Sequence, residues 1–66
     1  MARYVVNTVS QANGDHEVHV EGCAYFPASV IELGDHSFCH TAVAQAKLFY
    51  ATANGCYYCS PACHTS

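Results

Sequence analysis

The chain has 66 residues, 52% of them hydrophobic, and a net charge of −3, which bounds it to one small domain over 1–66. It contains no run of 18 apolar residues long enough to cross a bilayer. Arg3 and Lys47 are its only 2 Lys/Arg, too few to neutralise a row of phosphates, so a nucleic-acid partner is set aside along with a membrane span.

The apolar content is carried by small side chains, alanine, valine and cysteine, with no tryptophan. A core of ordinary size in so short a chain supplies only ~3–5 kcal/mol, so a staple is expected. The candidates are 5 Cys and 5 His. The start, Met1 to Asn7, has neither the basic region nor the apolar stretch of a signal peptide. The expected compartment is therefore cytoplasmic, where clustered Cys and His serve as metal ligands more often than as disulfides. An odd number of cysteines cannot all pair within one chain.

Tyr4 to Val9 is rich in β-branched residues, Asn13-Gly14 is a strong two-residue turn signal, and His16 to Glu21 alternates again. The predicted hairpin has Ala12 facing Asp15 and Val9 facing Val18. That register puts Val5, Val9, Val18 and Val20 on one face, and Tyr4, Val6, Thr8, Glu17 and His19 on the other. Cys23 to Pro27 reads as a loop whose Tyr25 and Phe26 plug the core beneath the hairpin. Val30 to Leu33 reads as a short third strand ended by Gly34.

A helix is predicted from about Ser37 to Ala51, with Asp35 or Ser37 as its N-cap. Cys39, Ala42, Val43, Ala46, Phe49 and Tyr50 fall on one stripe of it. Asn54-Gly55 ends the helix. Cys39 reads as a small buried hydrophobe, with a disulfide or a ligand role as the sharper alternative. His16, His36 and His40 read as solvated. The fold class is α+β: a hairpin, a third short strand, one helix across it, and a metal-stapled tail.

In that tail, Cys56-x2-Cys59 has the spacing of half a zinc site, since a turn of this size places two sulfurs on one tetrahedral edge. The second half is His19-x3-Cys23, at the end of the second strand and in the loop after it. The metal-ligand set is then His19, Cys23, Cys56 and Cys59, closing a long loop as a thin core requires. Sets in which Cys63 or His64 replaces His19, or a local cluster of Cys56, Cys59, Cys63 and His64, remain open alternatives. Tyr57 and Tyr58 are expected to pack on the helix and shield the metal.

The order Tyr4-Val5-Val6-Asn7, Ser10, His19-x3-Cys23, a helix with alanines, then Cys56-x2-Cys59 resembles the small zinc-binding module of the Ada metal-binding superfamily. That module also occurs appended to bacterial nucleases and competence-type hydrolases. The resemblance implies a mostly structural Zn2+. The chain departs from the pattern in a longer hairpin, in Ala51 to Asn54, in Cys39, in Cys63-His64 and in lacking a Lys/Arg-rich tail.

No carboxylate has a base or nucleophile beside it in the sequence, so an enzyme is not expected. The expected function is a structural zinc-binding protein acting as a stand-alone adaptor with a protein partner. A thiol-reactive or metal-responsive sensor with labile zinc is one alternative. A disulfide-stapled secreted domain is another.

Overall fold

The computed structural model describes residues 1–65. Strand β1 (Ala2–Asn7) pairs antiparallel with β2 (His16–Val20) on one side and with β3 (Val30–His36) on the other. A short strand β4 (Ala53–Gly55) joins the far edge of β2 in parallel, giving a mixed sheet of order β3-β1-β2-β4. Helix α1 (Cys39–Ala46) packs across one face. The α+β architecture is as expected, with one strand more.

The hairpin register differs from the expected one. Val6, not Val9, stands opposite Val18, and Val5 stands opposite His19. The whole stretch between Asn7 and His16 is a loop, with the Asn13-Gly14 turn nested inside it. Gly14 N–H donates to the Gln11 carbonyl at 2.8 Å, and the side-chain oxygens of Asn7 and Asn13 accept the Val9 and Asp15 N–H groups. These Asx turns take up backbone groups that a longer ladder would have used. Shifting the pairing by an odd number of residues exchanges the faces of one strand relative to the other. Tyr4, Val6, Val18 and Val20 therefore share the helix side, while Val5, Glu17 and His19 share the opposite side. Val9 lies exposed in the loop.

Strand β3 does not stop at Gly34. Tyr4 pairs with Gly34 and Val5 with Glu32, so Leu33 is the extra residue of a β-bulge. Gly34 carries a φ of +78°, which its missing Cβ permits, and Leu33 is turned into the core.

Helix α1 is shorter than the predicted stripe. It begins after Phe38, which gives no side-chain cap, because Asp35 is committed to β3 and Ser37 precedes the turn. Cys39, Ala42 and Ala46 are buried, and these small side chains let the helix lie close on the valines of β1 and β2. After Ala46 the chain tightens into turns. Leu48 and Phe49 N–H groups donate to the Gln45 and Ala46 carbonyls, which leaves Phe49 exposed and Tyr50 half-buried. Asn54-Gly55 then belongs to β4 and does not terminate the helix.

Three further expectations change. Tyr25 is exposed, and Phe26 lies beneath the Arg3 guanidinium at 5.5 Å, so this pair is not a core plug. His16 is half-buried and stacked on Tyr50 at 3.6 Å, its Nδ1–H donating to the Asn7 carbonyl at 2.9 Å. His36 is also half-buried, with Nε2 2.8 Å from the Leu33 carbonyl and Nδ1 2.8 Å from the Thr41 hydroxyl.

Cys39 is not a lone buried hydrophobe. It forms a disulfide with Cys63, across a sequence separation of 24, and ties α1 to the turn at Pro61–Cys63. The cysteines thus divide between two uses: one bridge, and three free thiols.

Candidate metal centre

The three free thiols and one imidazole converge on the face of the sheet turned away from α1. His19 projects from β2 on that face because it stands opposite Val5. Cys23 follows where the chain leaves β2, with its N–H donating to the Val20 carbonyl at 3.1 Å. This reversal brings the thiol back beside the imidazole, as the H-x3-C spacing requires.

Cys56 continues directly from β4, and its N–H donates to the Val18 carbonyl at 2.9 Å. Ser60 N–H closes back onto the Cys56 carbonyl at 2.9 Å, so Cys56 to Ser60 forms one tight knuckle that carries Cys59. Gly55 is what lets the knuckle close. A Cβ there would meet the Cys63 Cβ and the Ser60 carbonyl oxygen, each at 2.7 Å.

The ligand atoms of His19, Cys23, Cys56 and Cys59 all lie within 4.8 Å of one another. Cys23 Sγ is 4.0 Å from Cys56 Sγ, and Cys59 Sγ is 3.8 Å from His19 Nδ1. A tetrahedral ion with bonds of about 2.3 Å to sulfur and about 2.0 Å to nitrogen has S···S edges of about 3.8 Å and S···N edges of about 3.5 Å. These two separations lie a few tenths of an ångström above such edges, so the donor set is able to close on such an ion. His19 and Cys56 are buried, while Cys23 and Cys59 are half-buried.

His64 and Cys63 fall outside this group. Cys63 is in the bridge to Cys39, and His64 Nδ1–H donates to the Gly55 carbonyl at 3.0 Å. Cys39, His40 and Cys63 also lie together, but both sulfurs of this group are spent on each other.

One participant was not read from the sequence. The Glu17 carboxylate lies 3.5 Å from His19 Nε2, on the side of the ring away from the sulfurs. Strand periodicity places residues 17 and 19 on one face, and that was the available signal. A carboxylate behind a ligating imidazole fixes which nitrogen carries the proton and raises the basicity of the other.

Burial governs the electrostatics of the cluster. Burial, then the neighbouring Cys23 thiol, push the Cys59 thiol up to about 12; a backbone bond from Val20 pulls the other way, and Cys56 adds to the rise. Burial also holds His19 below its ordinary value, in the neutral form. Glu17 is raised, first by burial and then by Asp15, against the pull of His64. Crowded thiols resist ionising beside one another, and a divalent cation at their centre reverses that balance by stabilising each thiolate. Four protein donors fill a tetrahedral sphere.

Tyr57 and Tyr58, between the paired cysteines, do not pack on the helix. Both are exposed and, with Tyr25, Glu17, His19 and His64, they line a cleft of about 410 Å³ next to the cluster. No helix among the described residues is long and apolar enough to cross a membrane.

Comparison with protein-family models, with curated proteins and with solved structures finds no match. The likeness to the Ada module therefore rests on the positions quoted above, and the structure supports the grouping of their Cys and His side chains.

Proposed function

We propose that the protein is a stand-alone adaptor whose fold is held by one structural Zn2+ bound to His19, Cys23, Cys56 and Cys59. The observation that carries this reading is the convergence of four donors, two from each half of the chain, within 4.8 Å. Three thiolates and an imidazole form a soft, nitrogen-containing set that suits zinc and does not suit calcium or magnesium. Structural zinc is worth ~10–16 kcal/mol in finger peptides, well beyond what a core of alanines and valines supplies.

The same set argues against catalysis, because a catalytic zinc keeps one position for water and this one has four protein ligands. Exposed Tyr25, Phe38, Phe49, Tyr57 and Tyr58 favour a protein partner over a purely internal role. The test is native mass spectrometry of the purified chain with and without a strong chelator, read beside circular dichroism. One zinc per chain, and unfolding when it is removed, is the expected result. Metal that exchanges freely while the fold persists would instead make the site a labile sensor.

The Cys39–Cys63 bridge favours a second reading, in which the chain meets an oxidising compartment and not the cytoplasm. Thiol alkylation in intact cells before extraction separates the two: three reactive thiols after metal removal mark the bridged form, five the reduced one.

A further inference from the structure

Cys39 and Cys63 are joined as a disulfide, while Cys23, Cys56 and Cys59 are thiols whose sulfurs lie within 4.8 Å of one another. Conditions that close the first bridge expose three further cysteines to oxidation. Metal binding keeps such sulfurs as thiolates, the form that an oxidant attacks.

Two of the three are hung from one strand. Cys56 N–H donates to the Val18 carbonyl at 2.9 Å and Cys23 N–H to the Val20 carbonyl at 3.1 Å, both on β2. These backbone bonds bring the two sulfurs to 4.0 Å, which leaves ~2 Å for side-chain rotation to close to a bond. Cys23 is half-buried and reachable by a small oxidant, whereas Cys56 is 1% exposed. An accessible thiol is thus backed by a sheltered one that can resolve it. Cys59 is placed differently. Its sulfur rests 3.8 Å from His19 Nδ1 and 3.9 Å from the Ser60 hydroxyl, and a bond from it to Cys56 would close only the knuckle. A Cys23–Cys56 bond spans 33 residues and joins the same two halves of the chain that the metal joins.

We propose that Cys23 and Cys56 form a reversible disulfide that replaces the metal when the protein meets a peroxide. The Cys23 thiolate attacks the peroxide O–O bond, giving a sulfenic acid and hydroxide. The Cys56 thiolate then displaces a second hydroxide from the Cys23 sulfur, and the S–S bond forms. The two hydroxides take two protons from solvent and leave as water. Two thiolates are oxidised and one peroxide is reduced. The ion, left with His19 and Cys59, departs, and the chain remains tied across its halves with Cys59 as the one thiol. The proposal rests on the zinc reading and extends it: the same donors make a metal link in reducing conditions and a covalent link in oxidising ones.

The test starts from the zinc-loaded full chain, its metal content and circular dichroism verified beforehand. Hydrogen peroxide in modest excess is added, zinc release is followed with an indicator, and the product is alkylated and mapped by non-reducing peptide mass spectrometry. The expected result is loss of the zinc, a Cys23–Cys56 bond beside Cys39–Cys63, alkylation at Cys59 alone, and dichroism that persists. A chelator without peroxide should instead unfold the chain. In the Cys39→Ala, Cys63→Ala double variant, dithiothreitol followed by zinc should restore the metal and three thiols. Several outcomes overturn the exchange and leave the zinc reading intact. They are zinc retained after peroxide, a bond from Cys59 to either neighbour, a linked dimer or a sulfinic acid in place of the disulfide, unfolding on oxidation, or no zinc recovery after reduction. A chain that is folded and metal-free before any peroxide strikes the zinc reading itself, and the exchange with it.

Discussion

The two faces of the β1–β2 pair are held by different means. On the helix side, Tyr4, Val6 and Val18 meet Ala42, Ala46 and the Cys39–Cys63 bridge. On the other side, His19, paired across the ladder with Val5, lies among three thiols and a carboxylate. The first face is an ordinary core built from small residues, reinforced by a covalent link. The second has almost no apolar content of its own and coheres through donor atoms that suit a cation. A chain too short to bury large side chains thus carries a covalent link on one face and a group of metal-competent donors on the other. Both end in the same short tail, Cys56 and Cys59 turning to one side and Cys63 to the other, with Gly55 at the point where the two approach.

The sharpest way to break this comparison is to remove one cross-link at a time. Cys56→Ser or Cys59→Ser should abolish zinc binding and unfold the chain at neutral pH, since the lost contribution of ~10–16 kcal/mol exceeds the stability of any domain this size. Metal content by mass spectrometry and far-ultraviolet circular dichroism provide the readouts. A Cys59→Ser protein that stays folded without metal would make the two faces equivalent.

Acid should act on the same face. Burial depresses His19 below its ordinary 6.5, so the unfolded chain takes up a proton there that the folded chain refuses. Stability is fully present above about pH 6.5 and falls as the pH drops through the window below it, together with proton competition for the thiolates. Zinc release and unfolding should coincide in one transition, followed by an absorbance indicator and by dichroism. Release of zinc well above the unfolding pH would separate metal from fold.

Cys39→Ala combined with Cys63→Ala should cost less, about 3.5 kcal/mol from the chain entropy of a loop of this length, and should leave zinc in place. Denaturant titration of the zinc-loaded variant measures it. Gly55→Ala should cost roughly 1–3 kcal/mol, because its Cβ would press on backbone and on Cys63 with little room to yield. Its thermal midpoint should fall even when zinc is saturating, which would place the strain at the junction of the two links.

The smallest effect is expected at the exposed edge. Arg3 holds Glu32 below its ordinary 4.5 by a side-chain bond, so this pair contributes in full above that pH and loses its contribution as the pH falls further. Glu32→Gln should leave zinc content unchanged and the thermal midpoint at neutral pH within error, since a solvated ion pair is screened. A drop comparable to that of Gly55→Ala would show that β3 matters more to the fold than its place at the sheet edge implies.

Much of the metal cluster was legible because its two halves are local. H-x3-C at a strand end and C-x2-C in a turn place donors side by side whatever the rest of the chain does, and the shortage of large apolar residues signals that the halves must meet. Strand and helix identity followed likewise from β-branched runs and from the alanine stripe. What the sequence could not determine depends on partners distant along the chain. The hairpin register was decided by Asn7 and Asn13 folding the loop onto itself, and that choice set which face of the sheet His19 and Glu17 occupy together. β4 exists only because β2 offers an open edge, since Ala-Asn-Gly has no strand preference of its own. Cys39 found Cys63 because α1 packs on the sheet and Gly55 lets the tail pass close. Spacing determines which donors can share an ion locally; packing alone decides which distant side chains are brought to bonding distance, because that distance is set by the sum of every contact between them.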